Sequence, residues 1–252
     1  MTLYMSHNVS GSYVLMTSDT RHVIKDYWFN PVTGEYEDMG LPLRQTDKKA
    51  IKTERLSYFT LIGFSGTGEL CLYIAEKLKE EIQFDYDIKQ CKEVLERVIE
   101  REKRNKNAPS YTKFLEVEHG LILTLVGFYK DDYTTGMITY NSKDGKVSEL
   151  KAEIGQIMYC MITPAKEYEG HENEILNYPE FGDGLEDIED PLEQQRTMLQ
   201  RSINHLGTIH KIVSKHHSDI VSPEMEIFYL RLDPKGIDFG RGSHDFSEGK
   251  QE

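Results

Sequence analysis

Tryptophan occurs once and cysteine three times in this chain, and no apolar run approaches the ~20 residues that a membrane-spanning helix needs. Cys71, Cys91 and Cys160 are odd in number and widely spaced, with no CxxC pair. They exclude an even disulfide framework and fit a reducing cytoplasm. Positive charge is also scarce: 30 Lys and Arg stand against 43 Asp and Glu, a formal net charge of -13. That balance lacks the electrostatic footprint of a nucleic-acid binder. The segment Met1 to Asn8 has no basic stretch followed by an apolar one, so it reads as no secretory leader, and no membrane partner is expected.

What is present is ordinary for a soluble globular protein, 38% hydrophobic and 29% charged over 252 residues. The length suits one large domain, 1–252, with one substantial core. Its body is expected over about 2–230, with a turn-rich excursion at 22–47 that has room for a small hairpin, an acidic insertion at 167–190 and a polar tail at 231–252.

Periodicity places the elements. Thr2 to Ser6 and Ser12 to Ser18 read as two strands about the turn Asn8-Val9-Ser10-Gly11. Ala50 to Leu56 and Tyr58 to Phe64 follow, running into Ser65-Gly66-Thr67-Gly68. Leu70, Ile74, Leu78 and Ile82 recur at four-residue spacing, an amphipathic helix, and Ile88 to Ile99 carry a second. Glu100 to Asn107 reads as its solvated end. Strands return at Gly120 to Tyr129, Gly136 to Asn141, Lys146 to Leu150 and the apolar stretch ending at Met161. Asp190-Pro191 marks the start of a long helix, and Met225 to Leu230 is the last strand expected.

This order resembles the N-terminal nucleophile hydrolases of the proteasome β-subunit type, which include the bacterial HslV and Anbu peptidases, with an Anbu-like relative nearest. The resemblance rests on four motifs in order. They are Thr2 with the strand Val14-Leu15-Met16-Thr17-Ser18-Asp19-Thr20-Arg21; Lys52 ahead of Phe64-Ser65-Gly66-Thr67-Gly68; the stretch from Leu123 through Tyr140 and Asp144-Gly145 to Ile154-Gly155; and Asp219-Ile220-Val221-Ser222. Each is weak alone, and together they span roughly residues 2–230. The chain departs from the family at Gln156-Ile157, where a small Gly/Ser run is usual, and at Pro223-Glu224, where Gly-Gly is common.

The resemblance implies an α+β fold, a four-layer αββα sandwich. It implies a threonine-type peptidase or amidase without cofactor or metal, acting on peptide or unfolded protein. Such subunits assemble as homo-oligomers, in rings or open spirals, and some work with an ATP-driven unfoldase. Carried over residue by residue, Thr2 becomes the nucleophile once Met1 is removed, since an N-terminal threonine holds hydroxyl and amine base in one residue. Lys52 lowers the hydroxyl pKa by its charge, and Asp19 fixes the ammonium. The Gly66 N–H serves the oxyanion, where one well-placed donor is worth about 3 kcal/mol. Asp219 and Ser222 orient the amine and a water. The departures keep a second reading open, a catalytically inactive proteasome-like subunit acting as scaffold or interaction module. A non-peptide amidase is a third.

Other candidates carry less. Gly63 to Glu69 has P-loop glycine spacing, but Glu69 stands where the phosphate-binding lysine belongs. His205, His210, His216 and His217 lack the i,i+4 spacing of helical metal ligands and read as surface or helix-end residues. Cys160 reads as core.

Overall fold

The computed structural model describes residues 3–24, 27–30, 35–40, 44–116, 120–162 and 183–247. In chain order the first strands are β1 (Tyr4–Val9), β2 (Tyr13–Asp19), β3 (Arg21–Ile24), β4 (Tyr27–Asn30), β5 (Glu35–Asp38) and β6 (Arg44–Lys49). Next come β7 (Thr53–Arg55) and β8 (Thr60–Gly66), then the helices α1 (Gly68–Glu81) and α2 (Ile88–Arg104). Strands β9 (Leu121–Phe128), β10 (Thr135–Asn141), β11 (Lys146–Lys151) and β12 (Ile157–Ile162) follow. Helix α3 (Pro191–His216) leads into β13 (Glu224–Asp233) and β14 (Gly236–Asp245).

Two five-stranded antiparallel sheets organise these elements, in the orders β12-β1-β2-β13-β14 and β11-β10-β9-β8-β7. Every residue of β1 and β2 is buried, so both faces of this hairpin are covered. Its turn uses Gly11 at φ +77, a left-handed conformation that favours glycine.

Side-chain alternation then assigns the faces. Val14 and Met16 of β2 and Phe228 and Leu230 of β13 share a core with Leu61 of β8 and Val126 and Phe128 of β9. The intervening residues point the other way: Leu3, Met5, Tyr13 and Leu15 pack with Leu206, Ile209 and Val213 of α3. Ile62, Phe64, Leu123 and Leu125 pack with Leu70, Ile74 and Leu78 of α1 and with Val94, Leu95 and Val98 of α2. The period of two in the strands and of 3.6 in the helices therefore meet in three apolar clusters.

The helix starts follow from local chemistry. Asp87 accepts the Gln90 N–H while the Gln90 side chain accepts the Asp87 N–H, a capping box opening α2. Asp190 accepts the Leu192 N–H at 2.9 Å and Pro191 occupies the first turn of α3. The solvated end expected after Ile99 holds one buried carboxylate, Glu102, which accepts hydrogen bonds from Tyr73 and Asn105.

The sheet content corrects the expected four-layer αββα sandwich. Among the described residues antiparallel strands dominate, with α1 and α2 against one five-stranded sheet and α3 against the other. Two further two-stranded ribbons, β3 with β6 and β4 with β5, occupy the stretch read as an excursion. The polar tail also begins with a strand. β14 pairs β13 over ten residues each, turning tightly through Gly236 at φ +134. Polar composition hid β14 because most of its side chains face outward at a sheet edge. Most of the acidic insertion, through residue 182, lies outside the described residues.

Candidate active site

Asp19 ends β2 and is wholly buried, so its charge needs partners. Its Oδ1 accepts the Leu3 N–H and its Oδ2 the Arg21 N–H, both at 2.9 Å. The Asp19 N–H in turn donates to the Leu3 carbonyl at 3.0 Å. Lys52 Nζ donates to both carboxylate oxygens at 2.8 Å. Lys52 is itself 6% exposed, and its carbonyl accepts the Phe64 N–H at 2.8 Å, which anchors it to β8. Burial holds the ammonium below the usual lysine range, and Asp19 opposes that shift.

Leu3 is the residue after Thr2 in sequence. Its backbone thus joins the start of the described chain to the Asp19–Lys52 pair. Thr2, the expected nucleophile, lies outside the described residues.

Ser222 reaches the same neighbourhood from the segment between α3 and β13. Its Oγ accepts the Thr20 N–H at 3.1 Å, lies 3.1 Å from Thr20 Oγ1 and donates to the Glu224 carbonyl at 2.9 Å. Asp219 behaves differently. It is exposed, its carbonyl accepts the Gln45 side chain at 3.0 Å, and among the described residues no hydrogen bond ties its carboxylate to Asp19, Lys52 or Ser222. Gly66 closes β8 on an exposed turn directly before α1. Its φ of +126 and the 2.5 Å between an added Cβ and the Gly120 carbonyl oxygen both demand glycine.

Cys71, in the first part of α1, is pushed up to about 12 by burial, with Lys52 pulling the other way. Such a thiol is inert at neutral pH. Cys160 packs against the inter-sheet cluster, where a core residue belongs.

His216 ends α3 exposed and His217 caps it, as expected, whereas His205 and His210 depart from the surface role. His205 and His210 are buried at 8% and 0% exposure. His210 Nε2 lies 2.9 Å from the Ser222 carbonyl, so it donates there. A signal was present: Leu206, Ile209, His210 and Val213 fall at i, i+3, i+4 and i+7, the buried stripe of an amphipathic helix. His205 and His7 are both held at about 4, His205 by burial and His7 by burial and then by His205. Tyr13 OH joins His7 Nδ1 at 3.3 Å to Ser202 Oγ at 2.6 Å in that layer.

Among the described residues, no group of three or more His, Cys, Asp or Glu is arranged to hold a metal ion, and no helix is long and apolar enough to cross a membrane. No protein-family model matches the chain, and no curated protein matches it either.

Proposed function

We propose that the chain is a threonine-type amide hydrolase, acting as a peptidase, with Thr2 as nucleophile after Met1 removal. The observation that carries this reading is the buried Lys52–Asp19 pair bound to the backbone of Leu3, the residue next to Thr2. A lysine held in that position stabilises alkoxide character on a neighbouring hydroxyl. Thr2 Oγ attacks the scissile carbonyl, and the freed α-amine takes its proton through a water. The carbonyl oxygen, now an anion, accepts a hydrogen bond from the N–H of Gly66 beside the N-terminus of α1. The oxyanion collapses with cleavage of the C–N bond, and the leaving amine takes the proton held by the α-ammonium. The Thr2 ester is then hydrolysed by a water that gives its proton to the freed amine. Orientation falls to Ser222, which is bonded to Thr20, rather than to the exposed Asp219.

In this reading the protein works in the cytoplasm, in keeping with its three free cysteines, as a homo-oligomeric ring or spiral. It takes peptide or unfolded protein, with an ATP-driven unfoldase as a further partner. The test is hydrolysis of a fluorogenic peptide panel by the wild type and Thr2→Ala. Thr2→Ala is expected to abolish turnover, and full activity in that variant overturns the assignment.

One observation favours the second reading, an inactive scaffold subunit. Gln156 stands where the family has a small residue, and its side chain is committed to its own turn, accepting the Glu153 N–H at 2.9 Å. A chain that forms a stable assembly but does not react with a threonine-directed electrophile supports that reading instead.

A further inference from the structure

His210 has a property that the proposed chemistry does not use. It is wholly buried on α3, and its ring is oriented by one hydrogen bond, Nε2–H to the Ser222 carbonyl at 2.9 Å. A carbonyl can only accept, so Nε2 carries the hydrogen. Nδ1 is buried and has no hydrogen-bond partner among the described residues. The ring is therefore the neutral Nε2–H tautomer.

The far side of that bond leads to the candidate site by two routes. Ser222 Oγ accepts the Thr20 N–H, and Thr20 is the residue between Asp19 and Arg21. The Thr20 carbonyl accepts the Ala50 N–H at 2.9 Å, two residues before Lys52. Thr20 is thus pinned at its N–H by Ser222 and at its carbonyl by the strand approach to Lys52. A displacement of Ser222 moves Thr20, and with it the chain bearing Asp19 and the chain bearing Lys52. Ile220 and Val221 pack on Ile209 and Val213 of α3 and donate to the His217 carbonyl, and the His210 side chain adds the hydrogen bond that reaches Ser222 itself.

We propose that His210 is a positioning residue for the Lys52–Asp19 pair, holding its geometry through Ser222 and Thr20. The donor is suited to this because it keeps one protonation state. Burial holds the ring below the usual histidine range; the groups facing it are Asp19, which favours its charged form, and Lys52 and His244, which disfavour it. The Phe246 ring lies 5.8 Å away and shields it from water. A phenylalanine at 210 keeps the ring volume and loses the donor, whereas a glutamine keeps an N–H able to reach the same carbonyl.

The role in turnover rests on the hydrolase reading, so the deciding readout is independent of turnover. The Lys52 ammonium is titrated by NMR in the wild type, His210→Phe and His210→Gln, with circular dichroism melts to establish folding. Loss of the donor is expected to shift the Lys52 midpoint by about half a pH unit or more, with glutamine restoring it. Folded variants that all titrate as the wild type overturn the proposal. If His210→Phe fails to fold, the imidazole nitrogen spectrum of the wild type decides: an Nε2–H neutral ring from pH 6 to 8 supports it, and an Nδ1–H or charged ring overturns it. Where peptide turnover is measurable, His210→Phe lowers kcat about tenfold with KM unchanged. A Lys52 shift without any turnover in the wild type leaves the positioning role standing and removes the hydrolase reading.

Discussion

Lys52 Nζ lies 2.8 Å from both oxygens of Asp19, and neither residue is more than 6% exposed. Both carboxylate oxygens also accept a backbone N–H, so the anion is satisfied from three directions. This pair joins three parts of the chain: the segment at Leu3, the end of β2, and the approach to β7.

Breaking such a pair on one side leaves a buried charge without its partner, which costs about 3–5 kcal/mol. Asp19→Asn and Lys52→Met are each expected to destabilise by that amount. The double variant loses less than the sum of the two. Urea denaturation of the three variants checks this, and additive losses contradict it.

Acid sensitivity follows from His7 and His205. Both are held at about 4 in the folded chain, against about 6.5 when unfolded. Between those values the unfolded chain binds more protons, so stability rises with pH there. The contribution is complete above about pH 6.5 and is lost as pH falls towards 4, at up to about 1.4 kcal/mol per pH unit for each ring. Urea midpoints at pH 7, 6 and 5 measure the slope; a flat profile over that range contradicts it.

Gly66→Ala meets two obstacles, the left-handed φ and the Gly120 carbonyl oxygen. A loss of about 2 kcal/mol or more is expected. Gly242→Ala, where an added Cβ meets nothing within 4 Å, serves as the control and stays within about 0.5 kcal/mol. Thermal melts of the two variants give the comparison.

The thiols should be silent in the native protein. Burial pushes Cys91 and Cys160 up to about 11 and Cys71 to about 12. A colorimetric thiol reagent at pH 8 is expected to react slowly before denaturation and with all three cysteines after it. Fast labelling of Cys71 in the native state contradicts the packing described around Lys52.

Much of the local structure was legible in the residues themselves. The four-residue spacing of Leu70, Ile74 and Leu78 predicts α1, and Asp190-Pro191 predicts the start of α3, because each signal is local and chemically specific. β14 was not legible: an edge strand with one solvated face needs no apolar alternation. The 22–47 stretch, read as an excursion with room for a small hairpin, holds the ribbon β4 with β5 and most of the ribbon β3 with β6. The sandwich expectation came from the resemblance and weighed helices too heavily against this sheet content. In the site, Asp19 and Lys52 were found by their registration with the glycine turn, whereas Asp219 is exposed and apart from them. Metal-ligand spacing does not reveal His210, whose burial follows from its place on the apolar stripe of α3.

The proposed activity requires Thr2 to be a free N-terminal nucleophile. Peptide-level mass spectrometry after treating the purified protein with a threonine-directed β-lactone reads this directly. The predicted result is an N-terminal peptide beginning at Thr2, with Met1 absent and the acyl adduct on Thr2. An intact Met1 in every molecule, or an unmodified Thr2 beside an adduct elsewhere, contradicts it.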